Sequence, residues 1–280
     1  MRGSRVAVSA MRAPDGSIVY ERERLAPVYA SRLAHVPLLR GLLILWDSLV
    51  LGTKFLMRSA EVQSEDSEDS DPQPALYASV GISLVLGVGL FFLLPTWLGT
   101  LAGGPSAGTL VQNLLEGLIR LLLVIGYVIA IGFMPDIQRV FAYHGAEHKT
   151  INAFEAGAEM TPDVISTFPL EHPRCGTAFL VTVVVLSVLL FSVLGAMPLG
   201  WKLFSRVLLL PVLAMVSYEF IRWTGLHEDS AVARALAWPN LAFQKLTTRP
   251  PTRDMIEVAL SAFEALRREE LTFDRGNEAG

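Results

Sequence analysis

Residues 110–134 read LVQNLLEGLIRLLLVIGYVIAIGFM. The stretch is apolar over the length that a hydrocarbon core of about 30 Å requires of a helix. Its only charges, Glu116 and Arg120, stand at i and i+4, where they can neutralise each other on one helix face. Three further stretches of similar character lie at 75–94, 177–197 and 202–222. Across the 280 residues 52% are hydrophobic and 18% charged, against about a quarter charged in ordinary soluble domains. The fold class expected is an all-α integral membrane protein with about four transmembrane helices. An in-plane amphipathic helix, a small N-terminal β-hairpin and a C-terminal amphipathic helix complete it.

Working outward from that span, residues 1–37 read as a cytoplasmic segment with a β-hairpin. Arg5 to Ser9 alternates, Ala13-Pro14-Asp15-Gly16 is turn chemistry, and Ile18-Val19-Tyr20 resumes a β-prone run. An isolated hairpin is marginal in water, so it is expected to pack on another segment or subunit, and a homo-oligomer is the expected assembly. Residues 38–57 are apolar, but Arg40, Asp47 and Lys54 recur every seven residues, the narrow polar stripe of an interfacial helix. Residues 58–74 include the acidic, Ser-rich run EVQSEDSEDSDPQP (61–74), which lacks the apolar surface to order itself and reads as a disordered linker. Transmembrane hairpin 1 (75–134) then precedes a loop at 135–176. Transmembrane hairpin 2 (177–222) is followed by a tail at 223–280, where Met255, Ile256, Ala259, Leu260, Phe263 and Leu266 trace an amphipathic helix. His35 reads as an ordinary histidine.

Charge sets the expected orientation. The connections at 95–109 and 198–201 carry no charge, whereas 135–176 holds Arg139, Lys149 and Arg174 and both ends of the chain are rich in Lys and Arg. The positive-inside bias places both termini and the 135–176 loop in the cytoplasm. The N-terminus shows no short apolar run with a cleavage site, so the first spans would direct insertion. The lipid bilayer is the expected partner, and a net charge of -4 argues against nucleic acid. A single cysteine excludes an intrachain disulfide. Glu116, Arg120 and Arg206 inside spans are expensive in lipid and read as glue between helices.

Chemistry concentrates in the 135–176 loop. Three of the five histidines and the only cysteine fall between residues 144 and 175. In Tyr143-His144-Gly145-Ala146-Glu147-His148-Lys149 the order is H-x-x-E-H, the ligand and base order of inverted zinc peptidases. From Ile137 the helical spacing runs through Phe141, His144, His148, Ile151 and Glu155, with Gly157 as the C-cap. Histidines at i and i+4 converge on one point, a bidentate clamp for a divalent metal, zinc above all. One of His172, Cys175, Glu155 or Glu219 would complete three protein ligands, and Glu147 would act as the proton acceptor. The function expected is a membrane-embedded, cytoplasm-facing metal-dependent enzyme of hydrolytic type. The alternative is a non-enzymatic oligomeric scaffold or conduit in which the same His/Glu/Cys cluster is structural.

Four blocks, YHGAEHKTINAFEAG, HPRCGTAFL, SYEFIRW and LAFQKLTTRPPTRDMIEVA, resemble the YqhQ-like family of bacterial membrane proteins, in that family's order and across nearly the whole chain. The resemblance implies a predicted metal-dependent enzyme of unknown reaction. It carries His144, Glu147, His148, Glu155, His172, Arg174, Cys175 and Glu219 as the family's block residues. Family members also bear a Gly-rich lead-in, GGQAV-x-EGVM, ahead of the MRG with which this chain begins.

Overall fold

The structure is a computed structural model that describes residues 1–25, 36–63, 73–104 and 107–278. His35 and most of the acidic run, residues 64–72, lie outside the described residues. The described chain is mostly helical, with one two-stranded antiparallel sheet, β1 (Val6–Arg12) and β2 (Ile18–Arg24). The sequence-predicted hairpin is present, its turn shaped by Gly16 at φ +87° and by Asp15, whose Oδ1 accepts the Ser17 N–H at 2.8 Å. Its partner lies in the same chain. Val6 and Val8 of β1 pack on Ala265 and Leu266 of α11 (Arg253–Glu278), while Glu270 accepts the N–H groups of Arg5 and Val6.

Helix α1 runs from Leu39 to Gln63, past the expected end at 57 and into the first residues of the predicted linker. Its polar stripe is wholly engaged: Arg40 with Glu219, Asp47 with Arg2 at 3.3 Å, and Lys54 with Glu23. The opposite stripe, Trp46, Leu49, Val50 and Leu56, is exposed.

Among the described residues, two helices are long and apolar enough to cross a membrane, Ala78–Gly103 and Thr109–Ile131. A third appears if the bent pair α8 (Leu199–Leu208) and α9 (Leu210–Leu226), angled by 49°, is one span; α7 (Ala178–Ser192) is apolar but shorter. Pro211, within the first turn of α9, lacks the N–H that would continue the ladder and accounts for the bend. Behind α7, Gly195 turns at φ +71°, so that helix stops before the expected 197.

The loop expected from residue 95 is instead helix. Helix α2 (Gln73–Val88) passes through a π-helical turn at Gly89–Leu93 into α3 (Leu94–Gly103). Pro95 has no N–H to offer the carbonyl one turn back, that of Phe91. Arg120 on α4 (Thr109–Ile131) supplies the donor, its Nε reaching that oxygen at 2.8 Å. A cross-helix hydrogen bond thus replaces the intrahelical one, and the proline is absorbed without a break.

Helix α4 has its polarity reversed relative to a helix in water. Asn113, Glu116, Gly117 and Arg120 are buried, while Leu114, Leu118 and Leu122 are exposed. Glu116 is the hub of the interior: one oxygen accepts from Arg120 Nη2 at 2.7 Å and Thr96 at 2.9 Å, the other from Arg206 Nη2 at 2.9 Å. Arg206 also donates to Asn113 at 3.0 Å and lies over the Phe191 ring at 4.1 Å. Glu116, Arg120 and Arg206 therefore join helices, as their placement in apolar sequence suggested. Unpaired, each would cost several kcal/mol when buried this completely.

The remaining elements build the site. Helix α5 (Pro135–Glu155) follows α4 directly with Pro135 in its first turn. It ends in a Schellman turn in which Gly157, at φ +67°, donates to Phe154 and Ala158 to Ala153. Ala146 and Ala153, fully buried, form the α5 face that packs against α11 through Ile256 and Ala259. Short α6 (Pro162–Ile165) plugs the same cluster with Ile165. Helix α10 (Ala231–Thr247), in sequence that read as a soluble tail, lies against α7 and α9. Its Asn240 bonds Thr182 of α7 at 3.0 Å, and Phe243 joins Val124, Val128 and Val184 in one core.

Candidate metal centre

His144 and His148 leave the α5 face opposite the alanines, one turn apart, with ring centroids 4.3 Å from each other. The loop beyond α6 is irregular, and side chains of α5 satisfy its backbone. Lys149 Nζ donates to the carbonyls of Ser166 (2.8 Å) and Phe168, and Asn152 Nδ2 to those of Pro169 (3.0 Å) and Glu171 (3.1 Å). The His148 Nδ1 hydrogen bonds the Leu170 carbonyl at 2.6 Å. On the other side, the His144 Nδ1 hydrogen bonds the Thr247 carbonyl at 2.9 Å, at the end of α10.

A carbonyl can only accept, so in both rings Nδ1 carries the proton. Each Nε2 then presents a lone pair, unless a second proton is bound. Both Nε2 atoms point to one place, and Cys175 is there. The His144 Nε2 lies 3.1 Å from Cys175 Sγ, and the three ligand atoms of His144, His148 and Cys175 fall within 4.8 Å of one another. His148 and Cys175 are buried and His144 half-buried.

Cys175 is delivered by a turn just ahead of α7. Its N–H reaches the His172 carbonyl at 3.3 Å, and Ala178, the first residue of α7, reaches the Cys175 carbonyl at 3.2 Å. Gln244 of α10 clamps His172 at both ends of its backbone, its Oε1 accepting the His172 N–H and its Nε2 donating to the His172 carbonyl, each at 2.9 Å. Burial alone would push the Cys175 thiol up. Hydrogen bonds with His144, His148 and Thr177 outweigh that and bring it down to about 5. Burial likewise works against the imidazolium of His144, yet the Cys175 hydrogen bond and charge, the Thr247 carbonyl and Glu147 raise it on balance. Without a metal, the contact between them thus favours the charged form of each group.

Of the sequence-predicted ligands, Cys175 is the one that joins the two helical histidines. His172 lies beside the group, its ring 5.8 Å from that of His148, but its Nε2 is 3.3 Å from Glu155 Oε2. Glu155 in turn takes Arg174 Nη2 at 2.5 Å. His172, Glu155 and Arg174 form an outer chain of contacts rather than a ligand shell. Glu219 is elsewhere: its carboxylate receives Arg40 Nε at 2.7 Å and the Leu38 N–H at 3.1 Å, tying α1 to α9. Glu147 does not ligate either. It lines, with His144, Tyr143 and Thr177, a cavity of about 820 Å³ that runs along α4.

Four contributors escaped the sequence analysis. Thr247 and Leu170 act through backbone carbonyls, so their side chains carry no signal. Gln244 sat in a tail whose polarity read as solvent exposure. Gly145 separates the histidines because a Cβ there would stand 2.4 Å from the Arg249 carbonyl oxygen. The glycine lets the segment that leaves α10 after Thr247 lie against α5, where the Arg249 N–H donates to the Phe141 carbonyl at 3.0 Å.

A family described as "Protein of unknown function (DUF1385)" matches residues 36–269. The chain is 30% identical over 275 residues, 93% of its own length and 86% of the relative's, to "Uncharacterized protein YqhQ" of Bacillus subtilis (strain 168). No solved structure matches it.

Proposed function

The chain belongs to the DUF1385, YqhQ-like family, and on that footing we propose that it is a multi-pass membrane protein whose His144, His148 and Cys175 hold a divalent metal, zinc by choice of donors, for a hydrolytic reaction at the adjoining cavity. One observation carries this reading. Both histidines have Nδ1 fixed on a backbone carbonyl, so both Nε2 atoms converge with the cysteine sulfur. Such outer contacts orient metal-bound histidines and fix their tautomers. The thiol is already held as thiolate, its ligating form.

Two nitrogens and one thiolate sulfur would suit zinc, with three protein ligands leaving it open to water or substrate. A zinc ion held there supplies Lewis acidity toward a water or a substrate oxygen. Glu147, half-buried on the cavity wall, accepts and returns the proton. His172 and Glu155 restrain the loop that carries Cys175. A closed structural site would have no use for a cavity on its flank, which weighs against the scaffold alternative.

For topology the reading takes Ala78–Gly103, α4, α7 and the α8–α9 pair as four spans, with α1 in the plane of the interface. Both termini and the metal cluster then face the cytoplasm of the inner membrane. The outward leucines of α4 and the inward Glu116 and Arg120 support burial in lipid.

The test is cobalt substitution of the purified, chelator-treated protein. A tetrahedral spectrum with thiolate-to-cobalt charge transfer is expected, lost in Cys175→Ser and retained in Glu147→Gln. A thiolate-free octahedral spectrum, or no binding, would refute it.

A further inference from the structure

The cavity that holds Glu147 continues well beyond any proton-transfer site. Its α4 wall consists of Arg120, Val124, Tyr127, Val128 and Ile131, one face of the helix repeated over three turns, or about 16 Å at the helical rise. Phe91, Leu180 and Val184 form facing walls, and Val258 and Ala259 of α11 close the end near His144. At the far end Arg120 is 1% exposed, its donors engaged on the Phe91 carbonyl, Ser187 and Glu116, so the floor presents no open charge. The polar groups that open into the space gather at the other end, around Tyr143, His144, Glu147 and Thr177.

Size and lining choose the occupant. A cavity of about 820 Å³ is in the range that takes one small ligand. An extended peptide laid in it would leave its backbone N–H and C=O groups without partners against the apolar walls. A hydrocarbon chain carries no such groups. The rim also favours entry from the lipid side: Tyr127, Val140 and Leu180 line the cavity and are 48%, 57% and 44% exposed.

We propose that this cavity is an acyl-chain site, and that the substrate class is a membrane amphiphile whose polar linkage lies at His144 and Glu147 while its chain runs along α4 toward Arg120. The assignment as substrate rests on the catalytic reading of the metal cluster. The chain-binding site itself rests on the shape and lining of the cavity.

The experiment uses the full chain in nanodiscs of phosphatidylglycerol and phosphatidylethanolamine, photolabelled with a diazirine-bearing palmitic acid and mapped by mass spectrometry. Adducts are expected on Val124, Val128 and Phe91, above the background at outward Leu118 and Leu122. Val184→Trp plugs the middle of the cavity and Leu180→Trp narrows it at an exposed position that tolerates bulk. Either is expected to cut the cavity adducts about tenfold or more, since overpacking opposes the ligand by that order, with adducts at Leu118 and Leu122 unchanged. Adducts confined to the outward leucines, or unaltered by both plugs, would overturn the site; if neither plugged variant folds, the wild-type map alone decides. The wild type's zinc content and the His148→Ala variant keep the two readings apart. Wild-type zinc binding without cavity adducts removes the acyl site and leaves the metal reading, whereas cavity adducts on a wild type that takes up no zinc keep the acyl site and remove the catalytic reading; His148→Ala is expected to lose zinc and keep the adducts.

Discussion

His144 Nε2 lies 3.1 Å from the sulfur of Cys175, 31 residues later, and the His144 Nδ1 is held by the carbonyl of Thr247 from a third segment. Three stretches that are distant in sequence thus fix one ring. In metal-free protein this contact should be visible as reactivity. The Cys175 thiol is held down at about 5, so its thiolate is present from about that pH upward and disappears as pH falls through it. A small thiol reagent such as methyl methanethiosulfonate is expected to react at nearly constant rate from pH 8 to about 6 and to slow below about 5. In His144→Ala the midpoint should move toward the ordinary thiol value, and added zinc should protect the wild type. A wild-type midpoint near the ordinary value would contradict the contact.

Gly145→Ala puts a methyl 2.4 Å from the Arg249 carbonyl oxygen. Backbone cannot yield like a flexible side chain, so the segment bearing Thr247 must shift and with it the carbonyl that orients His144. The expected result is a loss of about 1–3 kcal/mol of stability, together with weaker zinc binding by about 10–100-fold, the usual effect of disturbing outer-shell contacts. Thermal unfolding and zinc competition titration measure the two effects.

Gln244 is 0% exposed and satisfies both backbone groups of His172. Gln244→Ala leaves the buried His172 N–H without its partner, at a cost of about 1–3 kcal/mol, and leaves the His172 carbonyl to the Cys175 N–H alone. The melting temperature in detergent should therefore fall more than for Gln112→Ala, which removes a half-buried amide from the Gly104 carbonyl at the start of α4. Equal shifts would contradict the clamp.

Which parts of this were legible in the sequence follows from what each residue does. Histidines at i and i+4 announce their common face through helical geometry alone, so the two-ligand clamp could be read directly. Cys175 could be proposed but not chosen over His172, Glu155 or Glu219, because the choice depends on how α10 and the 166–175 loop fold back. Glu219 illustrates the limit: its partner Arg40 is 179 residues away, beyond any local pattern. Apolar periodicity revealed α4 and α11, but the run through Pro95 was hidden, since its compensating donor comes from Arg120 on another helix. Helix α10 was misplaced because Asn240 and Gln244 look solvent-facing until their partners Thr182 and His172 are seen.

The interior ion network makes an asymmetric prediction. Glu116→Ala strips the counter-charge from two buried guanidiniums, whereas Arg206→Ala leaves Glu116 and Arg120 as a neutral pair. The first should cost about 3–5 kcal/mol, as leaving buried charge uncompensated does, and the second clearly less. Yield and unfolding temperature in detergent give the order, and a reversed order would count against the network as drawn.

The central claim is met most directly by elemental analysis of the purified chain. One zinc per chain is expected in the wild type, near zero in His148→Ala and Cys175→Ser, and an unchanged content in Glu219→Gln, whose carboxylate belongs to Arg40. A wild type that takes up no stoichiometric metal, or a cluster variant that keeps its zinc while Glu219→Gln loses it, would contradict the assignment of His144, His148 and Cys175 as the metal centre.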